Sequence, residues 1–354
     1  IVEGLEGGKI ATVTMLHHAY VDGAGASYGL EHLYRDTPGH QPDPAPPWAP
    51  RPAPSWFRRL WLGMVDWPSG ILKNVPKVVQ GLRQKKALDK QYIQEGKPPH
   101  PAPAMMQQTP INKVLSYGRT FVCDTMPLAD FKGISKGLGV TINDVFLCCS
   151  AGAIRRLFLE GGYNPDHNPL IAATPFAGKR PEGMEWLGNF VTMDYCWLHT
   201  DIEDPMERLH ASHKAANEMK EHLQQMVAMN ADFSAVMKIL PPWAVKGLSW
   251  WLREKKKGSL SLFANVALSN VPGPRKRLYW DKYTLDNWFS TGQIIDGTCL
   301  NMTMWSYCDN VNLCVLADKK VLPDGWKLYN YFKQELETLV SLIPQSETQE
   351  KIQA

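Results

Sequence analysis

No stretch of this 354-residue chain approaches the ~20 consecutive apolar residues that a bilayer-crossing helix needs. An ordinary membrane-spanning helix is therefore not expected. An excess of one charge is missing as well: 38 Lys and Arg stand against 35 Asp and Glu, a net charge of +3, so nucleic acid is not expected as a partner. Cysteine is sparse and unpatterned. The seven thiols (Cys123, Cys148, Cys149, Cys196, Cys299, Cys308 and Cys314) form no paired CxxC and no metal-ligand spacing. That excludes a disulfide scaffold, favours reduced and mostly buried thiols, and leaves no metal site expected. No secretory signal is visible, so the expectation is a cytoplasmic protein, soluble or resting on a membrane surface. What is present is an ordinary globular mixture, 44% hydrophobic and 21% charged, long enough for two subdomains with their own cores.

Chemistry is most readable at His17-His18-Ala19-Tyr20-Val21-Asp22-Gly23. Ile10 to Leu16 before it is rich in β-branched and apolar residues and predicts a strand; Ala24 to Tyr34 after it carries apolar residues at helical spacing. The histidines thus fall at a strand-to-helix junction, where open α/β sheets present reactive side chains. A neutral imidazole can accept a proton from a hydroxyl or amine held against it. Asp22 is close enough to fix the turn or the imidazole tautomer, and Gly23 tolerates a tight exit. From these residues alone, a hydrogen-bonded turn and a general base both remain open.

The rest of the chain reads in order. Thr37 to Pro54 is dense in proline and predicts an extended crossover. Ser55 to Gln84 spaces Trp56, Phe57, Leu60, Trp61, Val65 and Trp67 helically among basic residues. This describes either a helix lying in a membrane interface or one packed on its own domain. Glu95 to Pro110 is loop-like. A strand at 118–123 and a helix at 127–134 follow, then a helix over Cys148 to Leu159 that Thr141 or Asn143 is placed to cap. Leu170 to Pro175 and Val191 to Leu198 predict strands. Ile202 to Val227 predicts a charged helix on which His210 and His213 are expected to be solvated rather than metal ligands. Pro241 to Gly258 repeats the tryptophan and lysine pattern, again with interfacial and core-packed readings open. A strand over Phe263 to Leu268 leads into Ser269-Asn270-Val271-Pro272-Gly273-Pro274, and two paired strands, Leu300 to Tyr307 and Val311 to Ala317, precede a closing helix over Trp326 to Ile343.

Several of these motifs carry a resemblance. HHxxxDG looks like the active-site motif of the CoA-dependent acyltransferase superfamily, which includes chloramphenicol acetyltransferase, plant acyltransferases and peptide-synthetase condensation domains. The segment from Met126 to Leu159 with its Asn143-Asp144 pair, the Pro175, Arg180 and Gly188-Asn189 pattern, and above all SNVPGP at 269–274 resemble the bacterial wax ester synthase/diacylglycerol acyltransferases. The resemblance implies an α/β chloramphenicol acetyltransferase-like fold of two subdomains, with mixed sheets flanked by helices. It divides the chain into 1–36, the remainder of an N-terminal subdomain; 37–115, a proline-rich crossover with an amphipathic helix; and 116–354, the C-terminal subdomain. Because the chain begins at Ile1, it resembles a family member whose leading segment is missing or lies in another chain.

The resemblance also implies a reaction: transfer of a long-chain acyl group from acyl-CoA, a co-substrate, to diacylglycerol or a long-chain alcohol, with no cofactor or metal. His18 matches the catalytic base, with His17 beside it, and Asp22 matches an aspartate that holds the site in a salt bridge. Gly23, Asn143, Asp144 and Asn270 are the expected supporting residues, with Asn270 and Asn143 the candidates for stabilising an oxyanion. Lipid substrates imply peripheral contact with a membrane or lipid-droplet surface. Two rival readings share the motif, an amide-forming condensation domain and a catalytically silent lipid-binding protein. The family tends to carry a glycine shortly after its Ser-Tyr pair, whereas this chain has Ser306-Tyr307-Cys308.

Overall fold

The computed structural model describes residues 1–40, 52–178, 180, 182, 188–228, 239–256 and 263–343. Most of the proline-rich stretch of the crossover, 41–51, lies outside them. The main body is a mixed sheet of six strands built on one hairpin. β7 (Leu300–Tyr307) and β8 (Asn310–Asp318) pair antiparallel from Tyr307↔Asn310 to Leu300↔Ala317. β1 (Arg119–Pro127) adds antiparallel to β8, β4 (Val266–Val271) adds parallel to β7, and β2 (Leu170–Ala177) adds parallel to β4. β3 (Val191–Leu198) closes the far edge antiparallel to β2, giving the order β1-β8-β7-β4-β2-β3. A two-residue pair, β5 (Tyr279–Trp280) with β6 (Tyr283–Thr284), stands apart.

Strand composition explains these positions. The interior strands β2, β7 and β8 are buried almost throughout, as strands covered on both faces are, and the polar side chains of Asn301, Thr303 and Asn312 within them are buried too. Pro175 can sit in β2 because the ladder to β4 involves only Ala172 and Ala173. The helices α3 (Leu128–Leu138), α4 (Ile142–Glu160), α5 (Pro205–Ala228) and α7 (Gly325–Ser341) pack with the sheet around one hydrophobic core that includes Phe131, Phe146, Ile154, Leu209 and Phe332. α3 ends where Gly139 takes φ +69°, a conformation glycine adopts freely.

The remaining helices are α1 (Gly23–Leu33), α2 (Trp56–Gln94) and α6 (Pro242–Lys256). α2 is longer than its sequence pattern predicted and continues through Pro68 and Pro76. Its far end is held: Leu88 and Tyr92 pack against Met226 of α5, and Tyr92 Oη donates to Gln225 Oε1 at 3.3 Å.

Two sequence expectations need correction. Residues 10–16 form no strand; the segment is joined to its surroundings only by an isolated bridge between Val2 and Ala11, and Val13 and Met15 are exposed. A strand needs a neighbour to complete its hydrogen bonds, and among the described residues no pairing continues past Ala11. The strand placed at 263–268 is shifted toward the C-terminus. Ser269, Asn270 and Val271 belong to β4, in parallel register with Thr303, Met304 and Trp305, so only Pro272-Gly273-Pro274 is the turn.

Candidate active site

Asp22 organises the neighbourhood of the His17-His18 pair. It is the N-cap of α1, where its Oδ1 accepts from the Gly25 backbone N–H at 2.9 Å and so satisfies one of the free donors at the helix start. The same oxygen takes the Arg180 guanidinium, while Oδ2 accepts from the Phe190 N–H at 2.8 Å. Its side chain is only 1% exposed. A buried carboxylate with a cation and two backbone donors is a fastening, not a free acid.

Three motifs far apart in sequence meet around it. Val21 bridges in parallel to Gly188, whose N–H donates to the Tyr20 carbonyl at 2.7 Å. Gly188 sits at φ +96°, and a Cβ there would lie 2.6 Å from the Phe190 ring, so the Gly-Asn turn requires glycine. On the other side, a Cβ on Gly23 would lie 3.3 Å from Val271 Cγ2, which seats the Asp-Gly corner directly on SNVPGP. Gly273 of that motif is equally confined: a Cβ would come within 2.2 Å of the Ser306 carbonyl oxygen and 2.4 Å of Trp305 Nε1.

Cys308 accounts for the departure after the Ser-Tyr pair. Its φ of 51° lies in the left-handed region that glycine adopts without strain, and its N–H donates to the Pro274 carbonyl at 2.9 Å.

The histidines stand outside this fastened core. His17 Nδ1 accepts from the Ala19 N–H at 3.2 Å, which shapes the turn, and both His17 and His18 are exposed. The expected supporting residues divide into two kinds. Asn270 on β4 reaches Asn143 at the start of α4, with Nδ2 and Oδ1 3.5 Å apart, so these two amides adjoin one another. Asp144 is buried and spent on structure. It forms a capping box with Thr141, with Thr141 N–H to Asp144 Oδ2 at 2.8 Å and Asp144 N–H to Thr141 Oγ1 at 3.2 Å, and its Oδ2 also meets His213 Nδ1 at 2.7 Å. His213 is thereby half-buried and paired, not solvated as its helical spacing suggested; His210 is exposed as expected. Among the described residues, no hydrogen bond or ion pair joins His18 to Asn143 or Asn270.

Three of the buried thiols are poorly suited to act as nucleophiles. Burial pushes Cys148 and Cys196 up to about 12 and Cys299 up to about 11, which keeps them protonated near neutral pH. Cys123, held below its ordinary value by a hydrogen bond with Cys314, lies on β1, away from the motif residues in sequence. Elsewhere in the fold, His100, Asp194 and His222 form a buried group whose donor atoms lie within 4.8 Å of one another and which could hold a metal ion. Their separation along the chain hid it from the sequence.

Comparison with known proteins agrees with this assembly. Residues 1–146 match the family model described as wax ester synthase/diacylglycerol acyltransferase catalytic domain, and 187–340 match the WS/DGAT C-terminal domain. A Mycobacterium tuberculosis protein named as a diacylglycerol O-acyltransferase is 42% identical over 343 residues, spanning 96% of this chain and 72% of the relative. The O-acyltransferase WSD of Acinetobacter baylyi is 30% identical over 354 residues, spanning 98% of this chain and 74% of the relative. The solved wax ester synthase/diacylglycerol acyltransferase of Marinobacter aquaeolei superposes with a TM-score of 0.57 at 23% identity, covering 92% of this chain and 65% of that one, and so shares the fold. On the strength of both domain models and of a relative this similar over most of its length, the chain belongs to the wax ester synthase/diacylglycerol acyltransferase family.

Proposed function

We propose that this protein transfers a fatty acyl group from acyl-CoA to the hydroxyl of diacylglycerol or of a long-chain alcohol, with His18 as the general base. The observation that carries the reading is the convergence of HHxxxDG, the Gly-Asn turn and SNVPGP on the buried Asp22–Arg180 pair, in a chain whose family is defined by such enzymes. His18 accepts the proton of the acceptor hydroxyl as its oxygen attacks the thioester carbonyl. The tetrahedral intermediate then expels CoA thiolate, which takes the same proton back from the imidazolium. No acyl-enzyme is required by this step. Asn270 and Asn143, adjoining amides, are the candidate donors to the oxyanion. The step as written uses acyl-CoA as co-substrate and no cofactor.

The same reading implies that the protein works at a lipid surface. No single described helix is long and apolar enough to cross a membrane; α3 and α4 would pass only as a pair bent by 104°, and α4 is largely buried. Support for surface contact comes instead from α2 and α6, where Trp56, Phe57, Trp61, Trp243 and Trp250 are exposed beside basic residues.

Labelled palmitoyl-CoA supplied with either diacylglycerol or hexadecanol, followed by separation of the lipid products, tests the reaction and names the acceptor. His18→Ala should lower turnover by ~10²–10⁴-fold. Parent-like rates from that variant would remove His18 from its role. Absence of any ester product with the parent chain would favour a silent lipid-binding protein, and an amide product from an amine acceptor would favour condensation chemistry.

A further inference from the structure

A buried group of titratable side chains stands outside the acyl-transfer machinery. His100 belongs to the segment that follows α2, Asp194 to the edge strand β3, and His222 to α5, so three separate parts of the chain meet there. All three are buried, at 8%, 4% and 7% exposure. His100 Nε2 lies 2.8 Å from Asp194 Oδ1 and His222 Nδ1 lies 3.0 Å from Asp194 Oδ2. The two imidazoles stack with ring centroids 3.5 Å apart.

Hydrogen bonding alone leaves this group incomplete. One carboxylate serves two imidazoles, and His222 Nε2 is buried with no partner. Among the described residues Asp194 forms no ion pair with Lys or Arg; its carboxylate is met by the two imidazoles and by the Tyr195 N–H at 2.9 Å. A buried carboxylate without a full positive partner is costly.

We propose that His100, Asp194 and His222 bind one divalent transition-metal ion, with zinc the occupant best suited to two imidazoles and a carboxylate, and that the ion staples the segment after α2 to β3 and α5. Atoms bound at ~2.0–2.1 Å around a tetrahedral zinc stand roughly 3.3–3.5 Å apart. The two hydrogen-bonded pairs, at 2.8 and 3.0 Å, need to separate by a few tenths of an ångström, and all three donors already lie within 4.8 Å of one another. The rings must also splay, because each lone pair lies in its ring plane and one ion cannot sit in two parallel planes. His222 is suited to that turn, since its second nitrogen is tied to nothing. Water completes the shell.

The full chain, stripped with EDTA and desalted, is titrated with Zn²⁺ by calorimetry and with Co²⁺ by visible absorption. One Zn²⁺ per chain is expected, tighter than about 10 µM, with a Tm rise of roughly 4 °C at a hundredfold excess over Kd. His100→Ala and His222→Ala should each weaken binding at least tenfold. A His17→Ala, His18→Ala double variant should bind as the parent does, since the exposed pair is the competing explanation. Circular dichroism shows which variants are folded. Should the buried ones fail, the parent decides through Co²⁺: intense bands of a four-coordinate site are expected, and the pale spectrum of hydrated Co²⁺ overturns the proposal. Binding that survives in folded His100→Ala and His222→Ala, or that follows His17 and His18, overturns it equally.

Discussion

Asp22 and His18 lie four residues apart in one motif, and their surroundings assign them opposite kinds of work. The Asp22 side chain is almost fully buried and holds Arg180, the Phe190 N–H and the start of α1; the His18 side chain is exposed. Removing the carboxylate takes the Asp22 charge away from a largely buried guanidinium and the cap away from a helix. Asp22→Ala should therefore cost about 3 kcal/mol in urea unfolding. His18→Ala should change stability by less than about 0.5 kcal/mol, because an exposed side chain leaves no cavity and strands no partner. Both variants should lose turnover, for different reasons. An Asp22→Ala protein as stable and active as the parent would refute the fastening role. The residue identities here were legible in the sequence, since HHxxxDG is contiguous. The partners Arg180 and Phe190 were not, because nothing local announces a contact across some 160 positions.

Local pattern carried the elements well wherever packing agrees with periodicity. The closing hairpin, the strand at 191–198 and the helix after Thr141 lie where alternation and capping chemistry place them. The segment at 10–16 has the composition of a strand and is none, because strand formation depends on a neighbour that composition does not reveal. α4 shows a second thing that periodicity misses. Its centre, Ser150-Ala151-Gly152-Ala153, is a run of small residues. They make room for a buried ion pair between Arg208 of α5 and Glu335 of α7, to which Arg156 adds at 2.7 Å. A Cβ on Gly152 would lie 2.4 Å from Glu335 Oε2 and 2.8 Å from Arg208 Nη2. Both partners are buried and cannot swing into solvent. Gly152→Ala gains a few tenths of a kcal/mol or more in helix propensity, yet it must displace that pair and should destabilise the protein by about 3 kcal/mol. A parent-like or raised midpoint in denaturant would show that the three helices can part without loss.

For the whole molecule, the unevenness of its surface matters most. Around the sheet, apolar side chains are buried and charged ones paired. Along α2 and α6 the pattern changes. Trp56, Phe57, Trp61 and Leu72 are between 66% and 77% exposed on α2, and Trp243, Trp250 and Trp251 are 73%, 59% and 42% exposed on α6. Trp67 Nε1 donates to the Ile239 carbonyl at 3.1 Å, so the approach to α6 is tied to α2. Tryptophan is suited to the headgroup layer, and Arg58, Arg59, Lys73 and Lys77 on α2 with Lys246 and Arg253 on α6 suit anionic lipid. The sequence left interface and core open for both helices, and exposure favours the interface. A surface of this kind binds through buried apolar area and charge together, so its two contributions can be separated. Trp250→Ser with Trp251→Ser should lower co-sedimentation with liposomes of mixed neutral and anionic lipid several-fold, at any salt concentration. In the parent, raising salt should weaken binding by screening the basic residues alone. If the double variant sediments as the parent does, α6 is not at the interface. If it unfolds, those tryptophans belong to the core despite their exposure. Ester synthesis from a short, water-soluble alcohol should persist in the folded double variant, because neither tryptophan lies within the motifs gathered around Asp22.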